Sequence, residues 1–333
     1  MMTTIRFEAT TLAGHEATLV HVDSGAIKAV LCSRGASIIR LETADRHGVF
    51  DNVVLSYQNL DDFYQNPKYL GATTGPYAGR IYPPEMTVGG KRIALEKNFQ
   101  NHAHLHGGSR SLARADFTVE AIDQGVCFTH IPTEPAYPGH VFYKAYYRFE
   151  GPVMTLEYET LANADTYTNL TQHAYFNLSG SIRRTVLDHT LCLPASHVGQ
   201  LDASLITERL IPVEGTLFDF RRTKTLREVV IPLKKTPQMG LDHPFVLDEG
   251  TIVLADPESG RALHIETDQD TVVVYSHNFI IDQPVATPLE ENQHLALCLE
   301  TQHYPNDLHF FTRPASAHPE HTHHRQMTRY TFK

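Results

Sequence analysis

Thr168-Asn-Leu-Thr-Gln-His-Ala-Tyr-Phe-Asn-Leu-Ser179 is the stretch on which the reading of this chain turns. Side chains alternate along an extended backbone, so Asn169, Thr171, His173, Tyr175 and Asn177 share one face while Leu170, Ala174, Phe176 and Leu178 share the other. Gln172 alone interrupts the apolar side. Such a two-faced strand belongs in a sheet with one side packed and one side solvated, and it equally fits a strand whose polar side lines a site. The same period of two recurs on both sides of this stretch.

Towards the N-terminus, residues 17–22, 27–32, 37–42 and 53–57 read as short strands parted by glycine-rich and polar turns. Residues 60–64 read as a helical turn, and 223–230 as a short helix capped by Thr223 or Thr225. Residues 139–149 and 153–160 form a hairpin across Glu150-Gly-Pro152. Further strands fall at 187–193, 245–247, 251–255, 261–267, 271–276 and 328–333. No long amphipathic helix, internal repeat, linker or shift in composition divides the chain, so residues 1–333 are expected to form a single domain. Many short strands without interleaved helices predict an all-β sandwich or barrel.

Composition narrows the function classes. The four cysteines, Cys32, Cys127, Cys192 and Cys298, are scattered in apolar, strand-like settings with no C-x-x-C pair, which favours a reducing, cytoplasmic environment. The stretch Met1-Met-Thr-Thr-Ile-Arg-Phe-Glu8 lacks a basic start followed by an apolar run, so no secretory leader is expected, and no run approaches membrane-spanning length. Two sequons, at Asn169 and Asn177, flank His173 on its own face, where a glycan would obstruct any site; they read as coincidence. A net charge of −10 without a basic run excludes nucleic acid as the expected partner.

Four other stretches carry chemistry. In Leu295-Ala-Leu-Cys-Leu-Glu-Thr-Gln-His-Tyr304, Leu295, Leu297 and Leu299 face one side while Ala296, Cys298, Glu300 and Gln302 face the other, so Glu300 either pairs with a structural cation or points into a cavity. Asn101-His-Ala-His-Leu-His-Gly-Gly108 spaces His102, His104 and His106 as metal ligands on a strand would be. The following glycines suggest a loop, however, and no cysteine or acidic ligand completes a metal site. Gly71-Ala-Thr-Thr-Gly-Pro-Tyr-Ala-Gly-Arg-Ile81 offers Arg80 in a glycine-rich turn that matches no phosphate-binding pattern. Gly240-Leu-Asp-His-Pro-Phe-Val-Leu247 sets Asp242 ahead of an apolar strand, where a turn-forming aspartate is the simpler reading. The His318-Pro-Glu-His-Thr-His-His324 segment has the composition of an exposed loop.

Leu105-His-Gly-Gly108, Gln172-His-Ala-Tyr-Phe-Asn-Leu178, Gly240-Leu-Asp-His243 and Cys298-Leu-Glu-Thr-Gln-His-Tyr-Pro305, in this order, resemble the aldose 1-epimerase, or galactose mutarotase, family. The resemblance runs from about Leu70 to the C-terminus. It implies a large antiparallel β-sandwich with few short helices, and an isomerase that interconverts the α and β anomers of free aldohexoses such as glucose and galactose, with maltose a further candidate. It implies Glu300 as catalytic base, His173 as catalytic acid, and Arg80, His106 and Asp242 as substrate-binding residues, with no metal and no cofactor; His104 has no counterpart. An aromatic face for the sugar has to come from Tyr, Phe or His, since the chain has no tryptophan.

Two readings compete with this one. A sugar-binding protein without turnover shares the fold but leaves the retained Glu300 and His173 unexplained. A glycosidase needs two carboxyl groups, for which Asp242 and Glu300 are available, but gives His173 no role. The chain also departs from the family pattern: Gly79 stands where an asparagine is common, Val273 where some members place a glutamine, and Gln172 where an asparagine precedes the histidine. Those departures predict weak discrimination between sugars, and the absent side chain at Gly79 is expected to widen the pocket beside Arg80. A carboxylate near the imidazole is expected to raise the pKa of His173 from its ordinary value of about 6.5.

Overall fold

A computed structural model describes residues 3–290 and 292–333; the first two residues of the N-terminal stretch read above for a leader lie outside them. Antiparallel strands dominate, gathered into three larger sheets. The first five strands, Thr4–Leu12, His15–Asp23, Ile27–Cys32, Ser37–Ala44 and Phe50–Asn52, form a meander in chain order. Nine strands form the second sheet. Its third and fourth strands are the hairpin Val141–Glu150 and Val153–Ala162, turned by Gly151-Pro152, followed in space by the C-terminal strand His323–Phe332 at the centre and then Ala262–Thr267. Six strands form the third, in the order Tyr175–Phe176, Leu297–Gln302, Thr271–Tyr275, Asp242–Leu247, Ala195–Leu201 and Thr207–Pro212.

The two faces of the six-stranded sheet account for the architecture. Residues directly opposite in an antiparallel pair share a face. The pairings Phe245 with Val272, Val274 with Leu299, and Phe176 with Leu297 therefore build one apolar face, which joins the main core. The nine-stranded sheet meets it with Phe128, Tyr147, Met154, Leu156, Ile265 and Tyr330, and the five-stranded sheet adds Val20, Val22, Leu31 and Leu41. On the other face, Asp242 lies opposite Tyr275, which lies opposite Cys298, which lies opposite Tyr175, while Pro244, Val273 and Glu300 form the next row. The face turned from the core thus carries the polar residues.

The helix is at Leu226–Leu233, three residues later than the periodicity suggests, because Thr225 rather than Thr223 caps it in a capping box with Glu228. The helical turn is a 3-10 segment at Leu60–Phe63. Residues 53–57 hold only isolated bridges, at Val54 and Tyr57, and the 187–193 strand shortens to Thr190–Cys192 behind a 3-10 turn at Val186–Asp188. The histidine-rich segment is not an exposed loop throughout: Ala317–His318 is a strand, His318 is buried, and His323 and His324 start the last strand. No helix among the described residues is long and apolar enough to cross a membrane.

Candidate active site

The 168–179 stretch is broken in two. Thr171–Gln172 pairs with Thr73–Thr74, and Tyr175–Phe176 pairs with the strand Leu297–Gln302; His173 and Ala174 lie between the two ladders, where the His173 N–H donates to the Ala72 carbonyl at 2.9 Å and its carbonyl accepts from the Gly71 N–H at 3.0 Å. Its apolar side still behaves as one face, since Leu170, Ala174, Phe176 and Leu178 all enter the main core. Gln172 is accommodated there by donating from Nε2 to the Tyr147 hydroxyl at 2.6 Å. The polar side is not solvated. Asn169 and Thr171 are buried and bond to the strand that carries Glu300 and to the residue after it: Asn169 accepts from the His303 N–H at 2.9 Å and donates to its carbonyl at 3.0 Å, and Thr171 donates to the Thr301 carbonyl at 3.0 Å. These bonds fix His173 and Glu300 relative to each other.

A cavity of about 490 Å³ opens on the polar face of the six-stranded sheet, and Arg80, His106, His173, Asp242 and Glu300 all line it. His173 is held between the rings of Tyr69 and Tyr175, with centroids 5.9 and 5.0 Å away. Its Nδ1 lies 3.6 Å from the Cys298 Sγ and its Nε2 lies 3.5 Å from Glu300 Oε1. Cys298 and Glu300 are two apart on one strand face, so a single strand flanks both nitrogens of the imidazole.

Burial sets the protonation of this pair. It pushes Glu300 up to about 8, helped by the negative Asp242 and opposed by Arg80. It pushes His173 down to about 4. The sequence-based expectation of a raised histidine is therefore reversed: desolvation outweighs the neighbouring carboxyl, which is itself neutral below about 8 and offers the imidazole no full negative charge. Between those limits the pair holds one proton.

Arg80 and His106 come together through a two-residue ladder, Arg80 opposite Leu105 and Ile81 opposite His104. Beyond it His106 turns into a left-handed conformation, φ 51°, followed by Gly107 and Gly108, also at positive φ. Gly107 has no alternative, because a Cβ there would lie 2.3 Å from the Gly75 carbonyl oxygen. The His106 Nδ1 accepts from the Gly79 N–H at 3.1 Å, which leaves Nε2 as the N–H donor of a neutral ring. Burial, and then the neighbouring His173, hold its pKa well below the ordinary value. Arg80 donates from Nη2 to Asp242 Oδ2 at 2.8 Å and lies over the Phe99 ring, while its buried Nε has no partner.

The three alternating histidines diverge. His104 is buried with Nδ1 donating to the Glu96 carbonyl and Nε2 accepting from the Tyr137 hydroxyl, and His102 stacks on Tyr82. Among the described residues, the group of metal-ligating atoms close to one another is instead His106, His173 and Glu300, within 4.8 Å. Gly79 does not widen the pocket either: its φ is +82°, and the space a Cβ would take is filled by Pro305 Cβ at 2.7 Å. Val273 does line the cavity, opposite Glu300.

The sequence gives no sign of Tyr69, which reaches the imidazole from outside every motif; Tyr175 was legible as the same-face neighbour of His173. With Phe99, Tyr275 and Phe279 they supply the aromatic lining of the cavity in a chain without tryptophan.

The sequence profile of the aldose 1-epimerase family matches residues 18–331. A galactose mutarotase of Mus musculus is 32% identical over 291 residues, which cover 84% of this chain and 83% of the mouse protein. A maltose epimerase of Levilactobacillus brevis is 26% identical over 319 residues, 87% of each chain. Among solved structures, an aldose epimerase homologue from C. elegans superposes with a TM-score of 0.84 at 23% identity over 99% of each chain. The match runs through every strand of the sheet that builds the cavity, and the chain belongs to the aldose 1-epimerase family, isomerases that exchange the α and β anomers of free aldoses.

Proposed function

We propose that Glu300 and His173 carry out this exchange as base and acid, and that Arg80, His106 and Asp242 hold the hydroxyls of the sugar. The observation that carries the reading is the buried pair at 3.5 Å, facing one cavity with pKa values shifted in opposite directions. The proton that burial leaves on Glu300 first passes to His173 Nε2, 3.5 Å away; Glu300 then takes the proton of the C1 hydroxyl while His173 Nε2 protonates the ring oxygen. The bond from C1 to the ring oxygen breaks and an aldehyde forms. The free C1 rotates, and closure on its other face returns both protons. One shared proton suffices, because each step moves one proton in and one out and the charge of the pair stays constant. The open-ring state leaves the proton on Glu300 and His173 neutral, the arrangement that burial favours in this pocket.

Cys298 Sγ lies beside Nδ1, which leaves Nε2 as the nitrogen that faces Glu300. The His106 Nε2–H and the unpartnered Arg80 Nε are donors for sugar oxygens, and Asp242 accepts from sugar hydroxyls. Leaving such buried groups unpaired costs about 1–3 kcal/mol each, so the pocket favours a polyhydroxylated ring.

Glucose and galactose differ at the C4 hydroxyl, and with the apolar Val273 in the lining a polar contact is missing. We therefore read the enzyme as acting on both hexoses with comparable efficiency, and we place it in the cytoplasm on the strength of its four free cysteines. Polarimetry on freshly dissolved α-glucose, α-galactose and α-maltose, before and after treatment with a chelator, tests this. The expected result is similar kcat/KM for the two hexoses, unaffected by the chelator. A hundredfold preference for galactose with maltose inert, or activity restored only by added zinc, contradicts it.

A further inference from the structure

Outside the five residues assigned above, Tyr82 and His102 form a fixed aromatic surface that is bonded to two residues of the cavity wall, Asn306 and Phe99, and that the exchange at C1 does not use. Tyr82 is 38% exposed, one of the few large aromatic side chains left open to solvent. A lone exposed aromatic needs no explanation, but this one is built in. Its N–H donates to Asn306 Oδ1 at 2.9 Å and its carbonyl accepts from Asn306 Nδ2 at 2.8 Å, so one buried carboxamide holds the backbone from both sides. The His102 ring lies against the Tyr82 ring at 4.3 Å and 31°. Both residues are tied to the cavity wall, because Asn306 lines it, and so does Phe99, whose carbonyl accepts from the His102 N–H at 2.9 Å. Phe99 in turn carries Arg80 over its ring at 4.5 Å.

We propose that the Tyr82–His102 pair is a stacking platform for a second pyranose, the glycosyl substituent of a reducing disaccharide whose terminal ring is held in the cavity. This rests on the assignment of Glu300 and His173 to C1. With C1 at those two groups, the C4 hydroxyl on the far side of the ring is directed away from them, and a sugar linked there emerges towards the mouth. The weakly polar C–H face of a pyranose matches an aromatic ring, while its hydroxyls stay in water at the rim. A ring already packed against His102 and pinned through its backbone loses little freedom when the second sugar arrives.

The test compares α-glucose with α-maltose in the wild type, Tyr82→Ala and Tyr82→Phe. The wild type is expected to act on both sugars. Tyr82→Ala is expected to raise KM for maltose by roughly three- to tenfold, the scale of one aromatic contact, with kcat for maltose and both constants for glucose unchanged. Tyr82→Phe keeps the ring and is expected to match the wild type. Equal loss on glucose and maltose overturns the platform, because it gives Tyr82 a role in the shape of the whole site; so does a maltose KM indifferent to the alanine. An enzyme active on glucose but inert on maltose overturns the platform alone, whereas failure to act on glucose removes the assignment of the pair beneath it.

Discussion

If Glu300 and His173 act as proposed, a single proton divided between them confines activity to a window of pH. As pH rises through about 8 the Glu300 carboxyl loses it, and the pair has a base but no acid. As pH falls through about 4 His173 gains a second proton, and the pair has an acid but no base. The expected profile of kcat/KM, after subtraction of the spontaneous reaction, is a bell with limbs near those two values. An alkaline limb near 6.5, the ordinary histidine value, would mean that the proton is lost from an unperturbed imidazole rather than from a carboxyl raised by burial. The choice of these two groups as candidates came from the sequence, because each sits in a motif of its own, and both line the cavity. Their protonation was not legible there, since it depends on burial by Tyr69, Tyr175 and Cys298, brought in from other parts of the chain. Gly79 teaches the same lesson: read as lost bulk, it proves to be the residue that Pro305 permits.

At the scale of the element, the 168–179 stretch acts as a strut rather than a half-solvated strand. Its period of two was readable, and so was the destination of its apolar side, which does reach the core. The break at His173 and the burial of the polar side were not, because both depend on what covers the strand rather than on the strand itself. Asn169 is the key member, fully buried and bonded in both directions to the backbone of His303, three residues beyond Glu300. Asn169→Ala leaves that N–H and carbonyl without their partner and is expected to lower the free energy of unfolding by roughly 1–3 kcal/mol. Denaturant titration measures it as a lower midpoint at unchanged slope. A change within about 0.5 kcal/mol, typical of an exposed position, would show that the carboxamide is not the strut.

For the whole molecule, alternation along short strands was enough to announce an all-β sandwich or barrel, the family resemblance chose the sandwich, and the order of strands was hidden. The last strand, His323–Phe332, inserts between Val153–Ala162 and Ala262–Thr267, and the strand with Glu300 lies between Tyr175–Phe176 and Thr271–Tyr275. Such pairings join residues far apart in the chain, and no local pattern encodes them. They nonetheless decide the outcome, because they bring Arg80, His106, His173, Asp242 and Glu300 to one cavity. The most direct test of that convergence is the rate at which the purified protein equilibrates α-glucose, followed by polarimetry for the wild type, Glu300→Gln and His173→Asn, with circular dichroism to verify the fold. Both variants are expected to fold and to lose at least roughly a hundredfold in rate, the usual scale for a positioned acid or base; a folded variant that retains a near wild-type rate would contradict the assignment of that residue.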